Sequence, residues 1–453
     1  MQRRSLSAKH ALALGWLWLA LAALIGAGLF SVLLVVSRAP YVKDAFPFED
    51  FFRVALIVHV DLSVLVWFGA FAGILWTLNG AARLLAAGWT ALALCAAGTL
   101  LMCAAPFFEN APPVMSNYVP VLDGRIFLSG LLVFAAGCAL LVLRALLAAP
   151  RVGTRPDGAA ALRFGLNAAA VSAAVAVIAF AWSWVALPSS LDGKAYYEVL
   201  FWGGGHVLQF TWTLLMFAAW LWLADAIGAR APLSPRIAIL LFGIGLAAVF
   251  ATPVIYLAYD VFSVEHYRTQ TWLMRIGGGL AIVPFALAVA YALAIAPRPG
   301  PEARPLRAAL AWSLVLFGAG GLIGLDIQGS NVKIPAHYHG SIVGVTLAFM
   351  GLAYRLLPQL GYAAPQGRLA TLQPWIYGIG QLAHMLGLLW SGGYGVQRKV
   401  AGADQVLRSA EQIAAMGLMG LGGLAAVAGG ILFIVVVIRA MMANPWTSST
   451  SPS

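Results

Sequence analysis

Charge is what this 453-residue sequence has least of: Asp, Glu, Lys and Arg together make up 9% of it, and only 16 residues are acidic. Soluble domains carry about a quarter charged residues. With 62% apolar side chains and a mean hydropathy of +0.89, the chain is excluded as a water-soluble enzyme, a disordered polypeptide or a nucleic-acid-binding protein. Cysteine is scarcer still. Cys95, Cys103 and Cys138 all lie in apolar stretches, with no CxxC, CxxCH or paired spacing, so they read as small core residues and supply neither a disulfide framework nor a covalent haem attachment. The Gly203-Gly204-Gly205 run has no Lys near it and no preceding strand pattern, so it is not a phosphate loop but a place for close packing. There is no internal repeat and no soluble insert, and residues 1–453 read as one domain.

What is present is a succession of long apolar runs. About 20 apolar residues span the hydrocarbon as a helix, and twelve such runs occur, at about 12–36, 53–78, 87–107, 124–148, 162–187, 196–224, 236–258, 271–296, 306–326, 336–358, 371–392 and 411–438. The fold class is therefore all-α integral membrane with twelve transmembrane helices. Connections on the N-terminal side hold 16 of the 27 Lys and Arg against only Asp157, Asp225 and Glu302, whereas the opposite side is close to neutral. By the positive-inside rule both termini are cytoplasmic. The net charge of +11 then follows from topology and needs no acidic partner. A multi-pass protein of a bacterial-type inner membrane is the result.

Of seven histidines, His59, His206, His337, His339 and His384 fall within spans, where ionisable groups are costly and usually functional. Topology puts His59, His206, His337 and His339 in the outer half of the bilayer. Residues two apart on a helix point about 200° apart, so His337 and His339 cannot share one metal. They can each face a different planar cofactor, and neutral imidazole is a common axial ligand of haem iron. Two haems in an outer layer are the consequence.

These residues carry a resemblance. The segment IPAHYHGSIVGVTLAFMG in the tenth span, with a His in the second span and another in the sixth, resembles subunit I of the haem-copper oxidase and nitric oxide reductase superfamily over the whole chain. The resemblance implies that His59 and His339 ligate a low-spin haem and His337 a high-spin haem. It also implies that Gly395-Val396-Gln397-Arg398-Lys399 corresponds to the family's propionate-binding segment, with Arg398 and Lys399 as the basic pair and Gln397 in place of a proline. His384 matches no family ligand and reads as a packing residue. Asp61 belongs either to a polar pathway or to an interhelical hydrogen bond.

Two departures shape the functional reading. In the family the sixth-span His, here His206, shares a second metal with a His-His pair about 50 residues later, a place that here reads Pro253-Val254-Ile255-Tyr256-Leu257-Ala258-Tyr259-Asp260. Three alternatives remain: oxygen ligands from Tyr256 and Asp260, one turn apart on a helix, with Glu198 beside them; completion by another residue such as His266; or no second metal. Oxygen ligands favour iron over reduced copper. The second departure is Phe210, where oxygen-reducing relatives carry a tyrosine that helps split O–O. Joining two NO molecules does not need that group. The reading is a gas reductase with two b-type haems and non-haem iron or copper as the second metal, NO favoured over O2. Catalytic residues are His337, His206, Glu198 and Asp260, and the metal ligands are His59, His339, His337, His206, Tyr256 and Asp260. Electrons come from a separate cytochrome or cupredoxin-like subunit, or from quinol. The alternative is a non-catalytic electron-transfer or gas-sensing relative; a twelve-helix transporter explains the spans but not the histidines.

Overall fold

The computed structural model describes residues 7–36, 51–229, 233–328, 331–398 and 407–443. Within them the backbone is helical almost throughout, as it must be where no water satisfies N–H and C=O groups. The helices are α1 (Ala8–Val36), α2 (Phe51–Val60), α3 (Trp67–Asn79), α4 (Leu85–Phe108), α5 (Arg125–Leu147), α6 (Gly158–Ala186), α7 (Gly193–Ala226), α8 (Pro235–Val249), α9 (Ala251–Ala258), α10 (Val264–Trp272), α11 (Gly279–Ile295), α12 (Arg304–Leu325), α13 (Lys333–Leu356), α14 (Gly367–Gly393) and α15 (Ala410–Met442). Two joints are π-wound: Asp61–Val66 carries α2 into α3, and Leu273–Gly278 carries α10 into α11. One element was absent from the sequence reading: a short hairpin pairs β1 (Pro113–Val114) antiparallel with β2 (Val121–Leu122).

Ten stretches among the described residues are long and apolar enough to cross a membrane. The expected count of twelve is not reached because α13 and α14 miss on apolarity, not length. At 24 and 27 residues each exceeds the roughly 30 Å of hydrocarbon at 1.5 Å per residue. The polar residues His337, Tyr338, His339 and Ser341 on α13, and Gln373, Gln381 and His384 on α14, lower their hydropathy.

Packing divides the chain into two compact units. The first holds residues 1–218 and 233–285, with α4 against α5, α1 against α2 and α3, and α6 against α8. The second holds residues 219–232 and 286–453, with α12 against α13 and α14 against α15 as its main pairs. Lipid offers helices no hydrophobic reason to associate, so close contact rests on small residues. The α12–α13 crossing shows this directly: a Cβ built on Gly320 would sit 2.4 Å from the Ser341 amide nitrogen, and one on Gly340 would sit 2.4 Å from the Gly320 Cα. Among the described residues four helices, α6, α8, α10 and α15, are capped by side chains at their N-termini. Asp157 accepts the Ala160 N–H at 2.7 Å, and Ser409 with Gln412 forms a reciprocal capping box on α15.

Candidate functional site

The intramembrane histidines share one construction. A carbonyl oxygen can only accept, so an imidazole nitrogen facing one carries the proton, and the other ring nitrogen keeps the lone pair. His59, on the last turn of α2, donates from Nδ1 to the Ala27 carbonyl at 2.8 Å. On α7, His206 donates from Nδ1 to the Trp202 carbonyl at 2.9 Å. His337 on α13 donates to the Gly320 carbonyl at 2.7 Å, and His384 on α14 to the Met419 carbonyl at 2.8 Å. His339 has its Nδ1 3.3 Å from the Gln381 amide oxygen. For His59, His206 and His337 this leaves the lone pair on Nε2, which is how iron- and zinc-ligating histidines are held. His59, His337 and His339 are half-buried, so they remain reachable by a bulky ligand.

In the second unit, the close crossing of α12 and α13 sets His337. Because Gly320 has no side chain, its carbonyl reaches the imidazole across the helix pair, with Ser341 Oγ 3.5 Å from the same nitrogen. Gly320→Val is therefore expected to destabilise the protein by about 3 kcal/mol through overpacking and to lower the occupancy of whatever His337 binds; thermal unfolding and cofactor content check this. Across from His339, the His384 ring lies at a centroid distance of 4.4 Å, a closeness the sequence did not reveal. Its signal was present, since Gln381 and His384 sit three apart on one face of α14. The outer-loop segment is tied to α13 by Val396, whose carbonyl accepts the Val332 N–H at 3.1 Å after a turn at Gly395 (φ +77°). Arg398 lies half-buried just beyond it; Lys399 lies outside the described residues.

In the first unit, the three glycines before His206 are explained by aromatic rings. A Cβ on Gly203 would stand 2.2 Å from the Tyr256 hydroxyl, one on Gly204 2.4 Å from the Phe180 ring, and one on Gly205 2.2 Å from the Tyr118 ring. His206 is 5% exposed and sits between Tyr118 at 4.9 Å and Trp202 at 4.8 Å, ring centre to ring centre. Phe210 packs one turn below with Val207, Leu273 and Met274.

The oxygen-ligand expectation is corrected here. Tyr256 and Asp260 do not share a helix face, because α9 ends at Ala258, Tyr259 is extended, and Asp260 is exposed beyond it. The Tyr256 hydroxyl is spent on the Ala179 carbonyl at 3.1 Å and on Ser183 at 2.7 Å. Both carboxylate oxygens of Glu198 are engaged by Asn117, through its backbone N–H at 3.2 Å and its side-chain amide, anchoring the hairpin loop. His266 is buried and meets the Tyr256 ring edge-on at 4.7 Å. Among the described residues no three His, Cys, Asp or Glu side chains converge as metal ligands. The residues present do not fit the family's second metal. They do fit haem iron, whose axial bond asks for one neutral imidazole with its Nε2 lone pair exposed.

Other polar groups here lack partners. Asp61, two residues after His59 and 2% exposed, has Oδ2 without a hydrogen bond, and Gln270, fully buried one turn after His266, has neither amide atom bonded.

These features define a multi-pass helical membrane protein with imidazoles anchored inside its helices. The chain belongs to the cytochrome c and quinol oxidase polypeptide I family, whose model matches residues 11–426. It is similar to an uncharacterised protein of Rickettsia prowazekii strain Madrid E, 27% identical across 97% of this chain and 98% of that one. A second uncharacterised protein, from Aquifex aeolicus strain VF5, is 26% identical across 79% of this chain and 88% of its own.

Proposed function

We propose that this chain is the haem-bearing subunit of a membrane oxidoreductase that reduces a small gas, NO in preference to O2. His59 and His339 would hold one b-type haem, and His337 would hold a second. The observation that carries this reading is the common anchoring of the imidazoles through Nδ1 on oxygen acceptors, which leaves Nε2 as the donor atom. Haem iron at these residues would supply one-electron transfer and an open position for a diatomic gas. The chain's own contribution is orientation: the Ala27 and Gly320 carbonyls fix the tautomer and ring direction of His59 and His337. Arg398 and Lys399 would offset the propionate charges from the outer loop. Phe210 lacks a hydroxyl to share in O–O cleavage, which supports NO.

In this reading the chain crosses a bacterial-type inner membrane twelve times with both termini inside, α13 and α14 being the two more polar spans. It takes electrons at the outer face from a separate cytochrome or cupredoxin-like subunit, or from quinol, having no CxxCH of its own. A second reading, an electron-transfer or gas-sensing relative, is favoured by one observation: Tyr256 and Glu198 are committed to structural hydrogen bonds.

The two separate on one preparation. The purified complex is expected to carry two haems per chain and to consume NO faster than O2 when reduced. Faster O2 turnover overturns the substrate, two haems without turnover select the second reading, and absence of haem removes both.

A further inference from the structure

One face of the α10 helix and the π-wound turn after it combines aromatic and cationic side chains. Val264, Tyr267, Arg268, Thr271, Trp272 and Arg275 recur at the i, i+3, i+4 spacing of a single stripe. With Trp202 of α7 they line a cleft of about 380 Å³. This stripe lies inside a stretch long and apolar enough to cross a membrane, Val264–Ile295. Arg268, Trp272 and Arg275 are exposed on it, so two guanidinium groups stand at the lipid boundary. Among the described residues neither forms an ion pair with a carboxylate. Arg275 lies over the Trp272 ring at 5.6 Å, which holds the cation against the helix without neutralising it. Seven residues separate the two arginines, about 10 Å of helix rise, and both side chains are long enough to reach one anion between them.

We propose that this cleft binds the phosphodiester headgroup of an anionic phospholipid. The occupant follows from the chemistry of the lining. Two unpaired guanidiniums select an anion, and planar guanidinium groups match phosphate oxygens with paired N–H donors. Trp272, Tyr267 and Trp202 are the amphipathic rings that favour the membrane–water interface, and Thr271 donates its hydroxyl to the Tyr267 carbonyl at 2.9 Å, tying that face of the helix together. The site lies at the N-terminal end of the Val264–Ile295 stretch, the end that the charge pattern places outside. It is also joined to the candidate iron-ligand layer. Trp202 donates its indole N–H to the Tyr267 carbonyl at 3.4 Å and stacks on that ring at 4.5 Å, while its own carbonyl accepts the His206 Nδ1–H. A bound headgroup therefore braces the aromatic pair from which His206 is oriented. This inference goes beyond the redox reading and does not depend on it.

The test uses the full-length protein in nanodiscs of phosphatidylcholine with and without phosphatidylglycerol, followed by detergent extraction and native mass spectrometry of retained lipid. Wild-type protein is expected to retain phosphatidylglycerol over phosphatidylcholine. The double variant Arg268→Gln/Arg275→Gln is expected to lose that retention about thirtyfold, the effect of two cations near an anionic surface. Arg368→Gln, outside the cleft, is expected to leave it unchanged. Single variants with wild-type helical circular dichroism and elution volume keep the comparison open if the double variant fails to fold. Equal retention of both lipids, an unchanged double variant, displacement by inorganic phosphate at matched concentration, or quinone in place of phospholipid would each overturn the proposal. Haem content is read separately from the same samples, so failure of the haem assignment is distinguishable from failure of this one.

Discussion

His59→Ala and His339→Ala are each expected to abolish the low-spin haem signal in the reduced absorption spectrum while a CO-binding haem remains. The reason is that the proposed low-spin haem would need both imidazoles, and each is anchored by a separate hydrogen bond. The first is held by the Ala27 carbonyl beside the π-wound Asp61–Val66 segment, and the second by Gln381 on α14. Loss of either imidazole would remove one of the two groups proposed to hold that haem, so a large effect is expected. His59→Met separates ligation from folding, because a thioether also binds haem iron but raises its potential; a restored low-spin band with a more positive midpoint is the expected result. His384→Ala is the contrasting case. Its ring touches His339 at 4.4 Å, so the low-spin band is expected to remain and to shift. A normal low-spin spectrum in either alanine variant of the first pair would falsify the assignment.

The second large effect is expected at the gas site. His337→Ala should eliminate CO binding and gas turnover together while the low-spin band persists, since His337 supplies the only imidazole assigned to the second haem. His206→Ala is more informative about what the centre has become. The donors that the sequence suggested for a second metal are committed: Glu198 to Asn117, and Tyr256 to Ala179 and Ser183, while Asp260 lies off the helix. One imidazole does not hold a metal that needs three or more ligands. Copper and non-haem iron are therefore expected well below one per chain in elemental analysis. His206→Ala should then alter turnover without changing metal content. Stoichiometric copper or extra iron that disappears in His206→Ala would reverse this conclusion and restore a binuclear centre built on His206.

The membrane class, the helical fold and the histidine pattern were legible in the sequence for a common reason: each depends on properties that sum along the chain. Hydropathy over 20 residues decides whether a segment can cross a bilayer, and helical periodicity alone sets His337 and His339 on opposite faces. The same periodicity misled at Tyr256 and Asp260. Spacing of four implies one face only while the helix lasts, and α9 stops at Ala258. The runs at 336–358 and 371–392 were counted as spans by length, whereas α13 and α14 fall below the apolarity of the ten because of their polar residues.

What only the tertiary structure decided was which polar atoms are already spoken for. The acceptors that set the imidazole tautomers come from Ala27, Gly320 and Met419, separated from their histidines by 32, 17 and 35 residues, and no local pattern announces them. Tyr256 could be read as a ligand until its hydroxyl was found on Ala179 and Ser183, more than 70 residues away. A hydrogen bond removes a donor or acceptor from the inventory as completely as a substitution would. Sequence alone supplied the groups capable of holding iron; the packing of helices around them determined which lone pairs are left to do so.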